Sequence, residues 1–586
     1  MDAVRAGTID ELRRDRRLLT KLGSRPVLVV WHADRPFAIE DRCPHLGFPL
    51  HQGTVEAGLL TCHWHHARFD LVSGCTLDPW ADDALGFDVE VDKEEVWVRA
   101  RPDTDPVGRL SQRLRDGLEQ GLTLVTAKSV LGLLEADPSP GPILRTALDY
   151  GIANRAGGWG SGLTVLVAMA NVLPHLAPAD RPLALVQALA FVSRDTRGHA
   201  PRFPEPALRG PGQDAAIVAA WYRRFVETRS SDAAERALAT LVELAGCDAA
   251  ERAMTTALTD HLFIDEGHTL DFTNKAIEAL DHTGPGYDHV LTSLVRQTCA
   301  AERSEESGEW RHPHDLAAIA EAASDGLAGA LATGRQVASP AVDVAKLGWS
   351  ILADDPQAVV DAVLDAVRAG ATGEELGRAL AYAAALRITR FHLNNDPGDW
   401  NSVHHAFTYA NALYHCLVRQ GATPELLRGV VHGALRVYLD RFLNVPAARL
   451  PQTTAGTLEQ LSAAWDVQGA VDHAANEAYG YLAAGGAPAD LIAALGSALV
   501  REDAGFHWFQ LYEAAIRQAC AWPEGSEESA LILAGLARFL AAHTPTRREL
   551  ATVVRTASRL RRGERIFEDD GDGEAVGEGA PATLPV

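Results

Sequence analysis

Two short motifs near the N-terminus contain cysteine and histidine at the spacing that an iron–sulfur cluster requires. CPH at Cys43–His45 is followed, after 16 intervening residues, by CHWH at Cys62–His65, giving the pattern C-x-H…C-x-x-H. One iron of a two-iron cluster can take two thiolates and the other two imidazoles, so each motif would donate one cysteine and one histidine. Such a cluster transfers single electrons. The predicted ligands of this 2Fe–2S cluster are Cys43, His45, Cys62 and His65.

Zinc is the main alternative, because two cysteines and two histidines also form zinc sites. The flanking sequences favour iron–sulfur. CPHLGFPLHQG and LLTCHWHHARFDLVSG resemble the Rieske family, and the resemblance extends over residues 1–104. It implies a small β-sandwich, most similar to soluble Rieske ferredoxins and oxygenase-type domains. We interpret the neighbouring His63 and His66 as solvent-facing loop residues.

The sequence pattern of residues 1–104 is typical of a β domain. Pro26–Ala33 is a short apolar run, and Phe87–Ala100 alternates apolar and polar residues around a turn at Asp92–Lys93; both patterns predict strands. Arg101–Gly108 contains two prolines and alternating charge, which indicates a linker.

From Arg109 onward, alanine and leucine recur at helical spacing between Gly, Pro and Asp, which predicts about twenty helices. The predicted fold is therefore multidomain: a small all-β Rieske sandwich (1–104), a large all-α domain (105–567) and a disordered acidic tail (568–586). Three segments resemble one another and align Asn171, Asn274 and Asn411, which suggests an array of helical hairpins. Shared Ala/Leu composition is the alternative explanation.

Composition excludes several classes of partner. The formal net charge of −24 argues against nucleic acids and anionic membranes. No apolar run is long enough to span a bilayer, and the first residues contain no secretory signal, so we expect a cytoplasmic protein with no membrane partner. Seven widely spaced cysteines fit a reducing compartment.

The predicted helices contain several histidines in apolar surroundings. If the segment around DHLFIDEGH is helical, His261, Asp265 and His268 share one face. Each histidine taken alone is explained by ordinary packing or exposure, but a set from different helices could bind one non-haem metal, and a cluster on the same chain favours iron over zinc. The candidate metal ligands are His268, His405, His473 and His507, with His261, His404 and Lys346 in reserve.

The helical region also resembles the questin oxidase-like proteins. The similar segments are Asp260–Leu280, Trp310–Leu316 (WRHPHDL) and the HH-x-F-x-Y-x-NAL stretch from His404. The resemblance implies an all-α enzyme that cleaves aromatic rings oxidatively, with iron bound by four histidines and a carboxylated lysine. For that lysine, Lys346 and Lys275 are the candidates in the core.

The sequence therefore predicts a Rieske-dependent oxidoreductase. A reductase or ferredoxin would supply electrons to the cluster, and a second, non-haem iron would use O2 to oxidise an aromatic or other small organic substrate. One alternative is a Rieske electron carrier or redox sensor fused to a helical protein-binding scaffold. A second is hydrolysis at a zinc site. Assembly into a homo-oligomer stays open.

Overall fold

The computed structural model describes residues 3–102, 105–210, 212, 214–396, 398–452, 456–564 and 566. The chain forms two compact units. The first comprises the N-terminal part to Pro106 together with the described chain from Val553 onward, and the second is Val107–Thr552. The predicted disordered tail, 568–586, lies outside the described residues.

The N-terminal part of the first unit is the predicted β domain. Its described strands are β1 (Val4–Thr8), β2 (Arg17–Leu22), β3 (Arg25–His32), β4 (Arg35–Glu40), β5 (Thr54–Glu56), β6 (Leu59–Thr61), β7 (Arg68–Asp70), β8 (Gly86–Asp92) and β9 (Glu95–Ala100), with one helix, α1 (Ile9–Asp15). A six-stranded antiparallel sheet has the order β1-β9-β8-β4-β3-β2, and a three-stranded sheet has the order β5-β6-β7.

Both strand predictions are confirmed, and each has a clear local cause. The apolar run at Pro26–Ala33 forms most of β3, whose Val27–Val30 are almost fully buried. The turn between β8 and β9 has positive φ at Lys93 (47°) and Glu94 (72°), as in the two-residue turns that match the twist of paired strands. The smaller sheet packs its Leu60 and Phe69 into the core below the cluster motifs.

The rest of the described chain is helical, which confirms the predicted fold class. The helices are α2 (Pro106–Gln120), α3 (Thr123–Ala136), α4 (Gly141–Ala153), α5 (Ser161–Val172), α6 (Arg181–Thr196), α7 (Ala215–Glu227), α8 (Ser231–Thr259), α9 (His268–Thr283), α10 (His289–Thr292), α11 (Val295–Ala300), α12 (Leu316–Gly334), α13 (Val344–Ile351), α14 (Pro356–Arg368), α15 (Gly373–Thr389), α16 (Trp400–Gln420), α17 (Pro424–Leu439), α18 (Leu458–Ala464), α19 (Val471–Ala483), α20 (Pro488–Arg501), α21 (Phe506–Cys520), α22 (Glu527–His543) and α23 (Glu549–Arg561). Among the described helices, none is both long and apolar enough to cross a bilayer.

Neighbouring helices in sequence pack as hairpins in several places, such as α5 with α6, α7 with α8, and α15 with α16. Helices far apart in sequence also meet. α5 packs on α9 and α21, and α16 packs on the same two helices, so these four helices form a closed bundle at the centre of the unit. Side chains on facing helices of such a bundle are well placed to build a metal or cofactor site.

Candidate redox and metal sites

The two cluster motifs fold into loops with the same hydrogen-bond pattern. The N–H of Cys43 donates to the carbonyl of Phe48 (2.8 Å), and its carbonyl accepts from Gly47 (2.7 Å). Cys62 repeats this arrangement with Ala67 (2.8 Å) and His66 (3.0 Å). In each loop, the fourth residue after the cysteine has a positive φ, 86° at Gly47 and 63° at His66.

Each loop buries its cysteine and surrounds the sulfur with backbone donors. Cys43 and Cys62 are 3% and 1% exposed, and their thiols hydrogen-bond to each other. The N–H groups of His45 and Leu46 donate to the Cys43 sulfur, and those of Trp64 and His65 donate to the Cys62 sulfur. Such donors stabilise thiolates and tune a cluster's potential, so the loops fit a Rieske-type cluster.

The two histidines of the motifs lie nearer the surface than the cysteines. The ring centroids of His45 and His65 are 4.7 Å apart, with the rings edge to face. His45 packs against Trp80, and His65 is exposed beside Trp64. The structure thus brings the four predicted ligands together, with the imidazoles towards solvent, where an electron would enter or leave. His63 and His66 are exposed on the same loop.

In the helical unit, His268, His405 and His507 come together at one end of the central bundle. One potential ligand atom from each lies within 4.8 Å of the others. The Nε2 atoms of His405 and His507 are 3.2 Å apart. We call these three residues the histidine trio. They are neighbours because α9, α16 and α21 each present one histidine near the N-terminal end of the helix.

Two members of the trio, His268 and His507, are held in their neutral form. Burial, with a smaller contribution from His405, lowers the pKa of His268 and of His507 to about 3. A neutral imidazole has a free lone pair for a metal, whereas a protonated one has none. The trio therefore has the donor set of a transition-metal site, and two of its imidazoles are in the charge state that a metal requires.

A carboxylate orients the central histidine. Glu266 Oε2 lies 2.9 Å from His405 Nδ1, which leaves Nε2 facing the trio. The hydrogen bond to His405 lowers the pKa of Glu266 to about 2, so this carboxylate is ionised at neutral pH. A carboxylate behind a metal-binding histidine fixes the tautomer and increases the basicity of the ligand. No sequence pattern singled out Glu266.

The turn before α9 positions Glu266 and His268. Phe263, Asp265, Glu266 and Gly267 all have positive φ, at 37°, 50°, 50° and 90°. A Cβ on Gly267 would lie 3.0 Å from Phe263 and Tyr409, so a larger residue would be crowded there, and the positive φ also favours glycine. Strained turns of this kind concentrate at functional sites.

The same turn shows that one prediction was wrong. His261, Asp265 and His268 do not share a helical face, because α8 ends at Thr259 and α9 begins at His268. The His261 ring instead contacts two carboxylates, Glu305 at 2.8 Å and Glu227 at 3.2 Å. His261 therefore lies outside the trio, beside these two carboxylates.

Two more of the sequence candidates also lie outside the trio. His473 has a side chain that is 54% exposed and lies 3.7 Å from Glu477. Lys346 is exposed on α13, so the burial that made a lysine there noteworthy does not occur. In both cases the apolar neighbours in sequence lie on another face of the helix. The buried lysine of the core is Lys275.

His404, a reserve candidate, borders the trio. Its ring is fully buried, with its centroid 4.6 Å from that of His507. Among the described residues, neither ring nitrogen of His404 has a hydrogen-bond partner. Burial and the neighbouring imidazoles hold its pKa well below the usual value. An unpartnered neutral imidazole at this position could serve as a further metal ligand.

The β domain with its paired Cys/His loops is a cluster-binding electron-transfer domain, and comparison with known proteins agrees. The sequence model of the Rieske [2Fe-2S] domain matches residues 2–87. The ferredoxin CarAc of Metapseudomonas resinovorans is 31% identical over 83 residues, which are 14% of this chain and 78% of that protein. The chain therefore belongs to the Rieske family through its N-terminal domain, which binds a 2Fe–2S cluster.

Further relatives align with the same part of the chain. Human apoptosis-inducing factor 3 is 34% identical over 93 residues, which are 16% of this chain and 15% of that protein. The solved ferredoxin of carbazole 1,9a-dioxygenase from Nocardioides aromaticivorans IC177 is 28% identical, with 17% of this chain and all of that chain covered and a TM-score of 0.17. The chain thus spans about 15% of the length of human apoptosis-inducing factor 3.

Proposed function

We propose that the protein is a Rieske-dependent oxidoreductase with two metal centres. Residues 1–104 would be the electron-transfer domain, with Cys43, His45, Cys62 and His65 as the cluster ligands. Residues 105–567 would be the catalytic domain, with a non-haem iron at the histidine trio. A reductase or ferredoxin would reduce the cluster, whose electrons would support O2-dependent oxidation of an aromatic or other small organic substrate.

The observation behind this proposal is the trio with its carboxylate. Three imidazoles, one of them oriented by Glu266, form a ligand set that leaves positions open on a metal for O2 or substrate. A cluster on the same chain supplies electrons, which iron can use and zinc cannot. Iron would provide redox and Lewis-acid chemistry, and the histidines would fix its geometry.

The surroundings of the trio support an apolar substrate. The rings of Phe272 and Phe506 lie 5.6 and 5.7 Å from the His268 ring, measured between centroids. Aromatic walls exclude water and favour apolar ligands. Relatives of the Rieske domain include a ferredoxin subunit of anthranilate 1,2-dioxygenase from Burkholderia cepacia and the 4beta-methylsterol monooxygenase of Methylococcus capsulatus, which supports a role in oxygenation.

Iron quantification with EPR spectroscopy tests the proposal. The purified chain should contain about three irons, two in the cluster and one elsewhere. The double variant His405→Ala/His507→Ala should lose the third iron and retain the Rieske signal after reduction by dithionite. His473→Ala, which removes an exposed histidine of the same unit, should retain all three.

Two results would contradict the proposal. Two irons per chain in the wild type, with no other bound metal, would favour an electron carrier or redox sensor on a helical scaffold. Zinc in the trio, with activity that persists without oxygen, would favour hydrolysis.

A further inference from the structure

Next to the trio, the central bundle buries a set of charged side chains that the proposed function does not use. They come from α9 and α21, the helices that provide His268 and His507. We call this set the buried ion cluster; it consists of Asp271, Lys275, Glu278, Glu513 and Arg517. Charges inside a helical bundle are expensive unless they are paired, so their presence needs an explanation.

Lys275 is the centre of the cluster. It is fully buried, and its Nζ lies 3.1 Å from Glu278 Oε2, 3.1 Å from Glu513 Oε1 and 3.8 Å from Asp271 Oδ1. Arg517 contacts both glutamates, at 3.1 Å from Glu513 Oε1. Two cations thus face three carboxylates.

Three asparagines complete the hydrogen bonding of the two glutamates. Asn171 of α5 donates to Glu278 (2.8 Å) and to Glu513 (3.1 Å). Asn274 donates to Glu278 (2.9 Å), and Asn411 of α16 donates to Glu513 (3.3 Å). Glu278 and Glu513 are therefore bonded as ions from all four helices of the bundle.

The side chains of the buried ion cluster form two ion pairs and leave one carboxylate over. Burial alone would lower the pKa of Lys275, but Glu278, Glu513 and Asp271 outweigh it and raise that pKa. Burial would raise the pKa of Glu278, but Lys275 and Arg517 hold it below the usual range. Lys275, Arg517, Glu278 and Glu513 therefore balance one another as two ion pairs. Asp271 is left without a cation of its own.

Asp271 differs from its neighbours in protonation. Burial raises the pKa of Asp271 to about 7. Lys275 lowers this pKa, but Lys275 is shared with Glu513 and Glu278, whose negative charges raise it. Gln510 of α21 donates a hydrogen bond to Asp271 Oδ2. The other two helices of the bundle, α5 and α16, contribute the amides of Asn171 and Asn411 to the cluster.

The position of Asp271 links the ion cluster to the trio. Asp271 follows His268 by one turn of α9, and Gln510 follows His507 by one turn of α21. Residues three apart on a helix are neighbours, so this hydrogen-bonded pair lies directly beside the trio. At the other end, His282 donates to Asn171 Oδ1 (2.8 Å) and is half-buried, as is Arg517, so the cluster reaches solvent.

We propose that Asp271 is a charge-compensating acid for the metal centre. It holds a proton when the trio binds no cation and releases that proton to solvent when a cation binds, because the new positive charge favours the carboxylate across a short, low-dielectric distance. This inference rests on the proposed metal centre.

Calorimetry of zinc binding tests the inference without any enzyme activity. The full chain, with its cluster intact and other metal removed by a chelator, is titrated with Zn²⁺ in buffers of different ionisation enthalpy, which gives the number of protons released. At pH 6 the wild type should release about one proton more than Asp271→Asn, and this difference should vanish by pH 8.5. Proton release by the histidines themselves is common to both proteins and cancels.

Two controls define the site and the charge change. Asp281→Asn removes an exposed carboxylate from the same helix and should match the wild type. His405→Ala/His507→Ala should abolish the binding event. Infrared difference spectra of the wild type provide a readout that needs no variant: the carbonyl band of a protonated carboxyl group should disappear when Zn²⁺ binds.

The failures of the two proposals are distinguishable. Equal proton release by wild type and Asp271→Asn, with zinc bound at the trio, would overturn the role of Asp271 and leave the metal centre standing. An unchanged carboxyl band on zinc binding would have the same meaning. Zinc binding that is insensitive to His405→Ala/His507→Ala would overturn both.

Discussion

The cluster loops and the histidine trio both bring metal-binding side chains together, but the residues of the trio are much farther apart in sequence. The cluster loops lie close together in sequence, and each is closed by hydrogen bonds to its own cysteine. The trio combines three helices, and two of its members, His405 and His507, are 102 positions apart. Local backbone geometry builds the first site, and tertiary packing builds the second. The two should therefore respond independently to substitution.

The largest expected effect is the loss of one site without the other. Cys62→Ser removes a buried thiolate ligand, so the Rieske EPR signal should vanish completely. Zinc binding by the helical unit should persist, because no residue of the trio changes. Cys75→Ser, which alters an exposed free cysteine of the same domain, should retain the signal. Loss of both sites in Cys62→Ser would show that the sites are interdependent.

The next effect concerns the stability of the helical unit and its dependence on pH. The pKa of Asp271 is raised from 3.8 to about 7, so the folded chain binds an extra proton between these values and its stability falls as pH rises through that window. Asp271→Asn removes this loss. Relative to the metal-free wild type, the variant should gain of the order of 4 kcal/mol between pH 4 and 8.

Urea unfolding of the two proteins at several pH values, followed by the circular dichroism of the helices, measures this gain. Asp281→Asn should show no comparable change with pH. A constant difference between Asp271→Asn and the wild type across the window would mean that Asp271 is ionised throughout, in contradiction to the burial argument.

A smaller effect is expected behind the trio. Glu266→Gln keeps the size of the side chain but removes the charge that orients His405, so the affinity of the trio for Zn²⁺ should fall by about 10- to 100-fold, or roughly 1.4–2.7 kcal/mol. Glu306→Gln, at an exposed glutamate, should leave the affinity unchanged. An unaltered affinity in Glu266→Gln would show that the contact with His405 does not act on the metal.

The difference in range explains what could be predicted from the sequence. The cluster motifs, the strands and the division into β and α regions depend on local spacing, which a single sequence displays. His268, His405 and His507 were predicted from residue type and apolar neighbours in sequence, and so were His473 and Lys346, because nothing local distinguishes a side chain that faces the bundle from one that faces solvent.

Two features depended on geometry that the sequence does not display. Glu266 reaches His405 from a left-handed turn, which hydrophobic periodicity does not predict. The similarity that aligned Asn171, Asn274 and Asn411 could be detected in the sequence, but the contacts of these asparagines could not be predicted from it. In the structure each of these asparagines donates to Glu278 or Glu513, so corresponding positions on three helices serve one buried cluster.

The smallest expected effect tests how strictly the cluster loops depend on backbone shape. His66 occupies, at φ 63°, the position that Gly47 occupies in the other loop. His66→Gly should therefore retain the cluster spectrum and keep the melting temperature close to that of the wild type, because glycine adopts this conformation freely. His66→Val should destabilise the domain by about 1–2 kcal/mol, since a β-branched residue is strained there. Loss of the Rieske signal in His66→Gly would identify its imidazole, in place of that of His65, as the iron ligand. The backbone explanation of the loop would then be wrong.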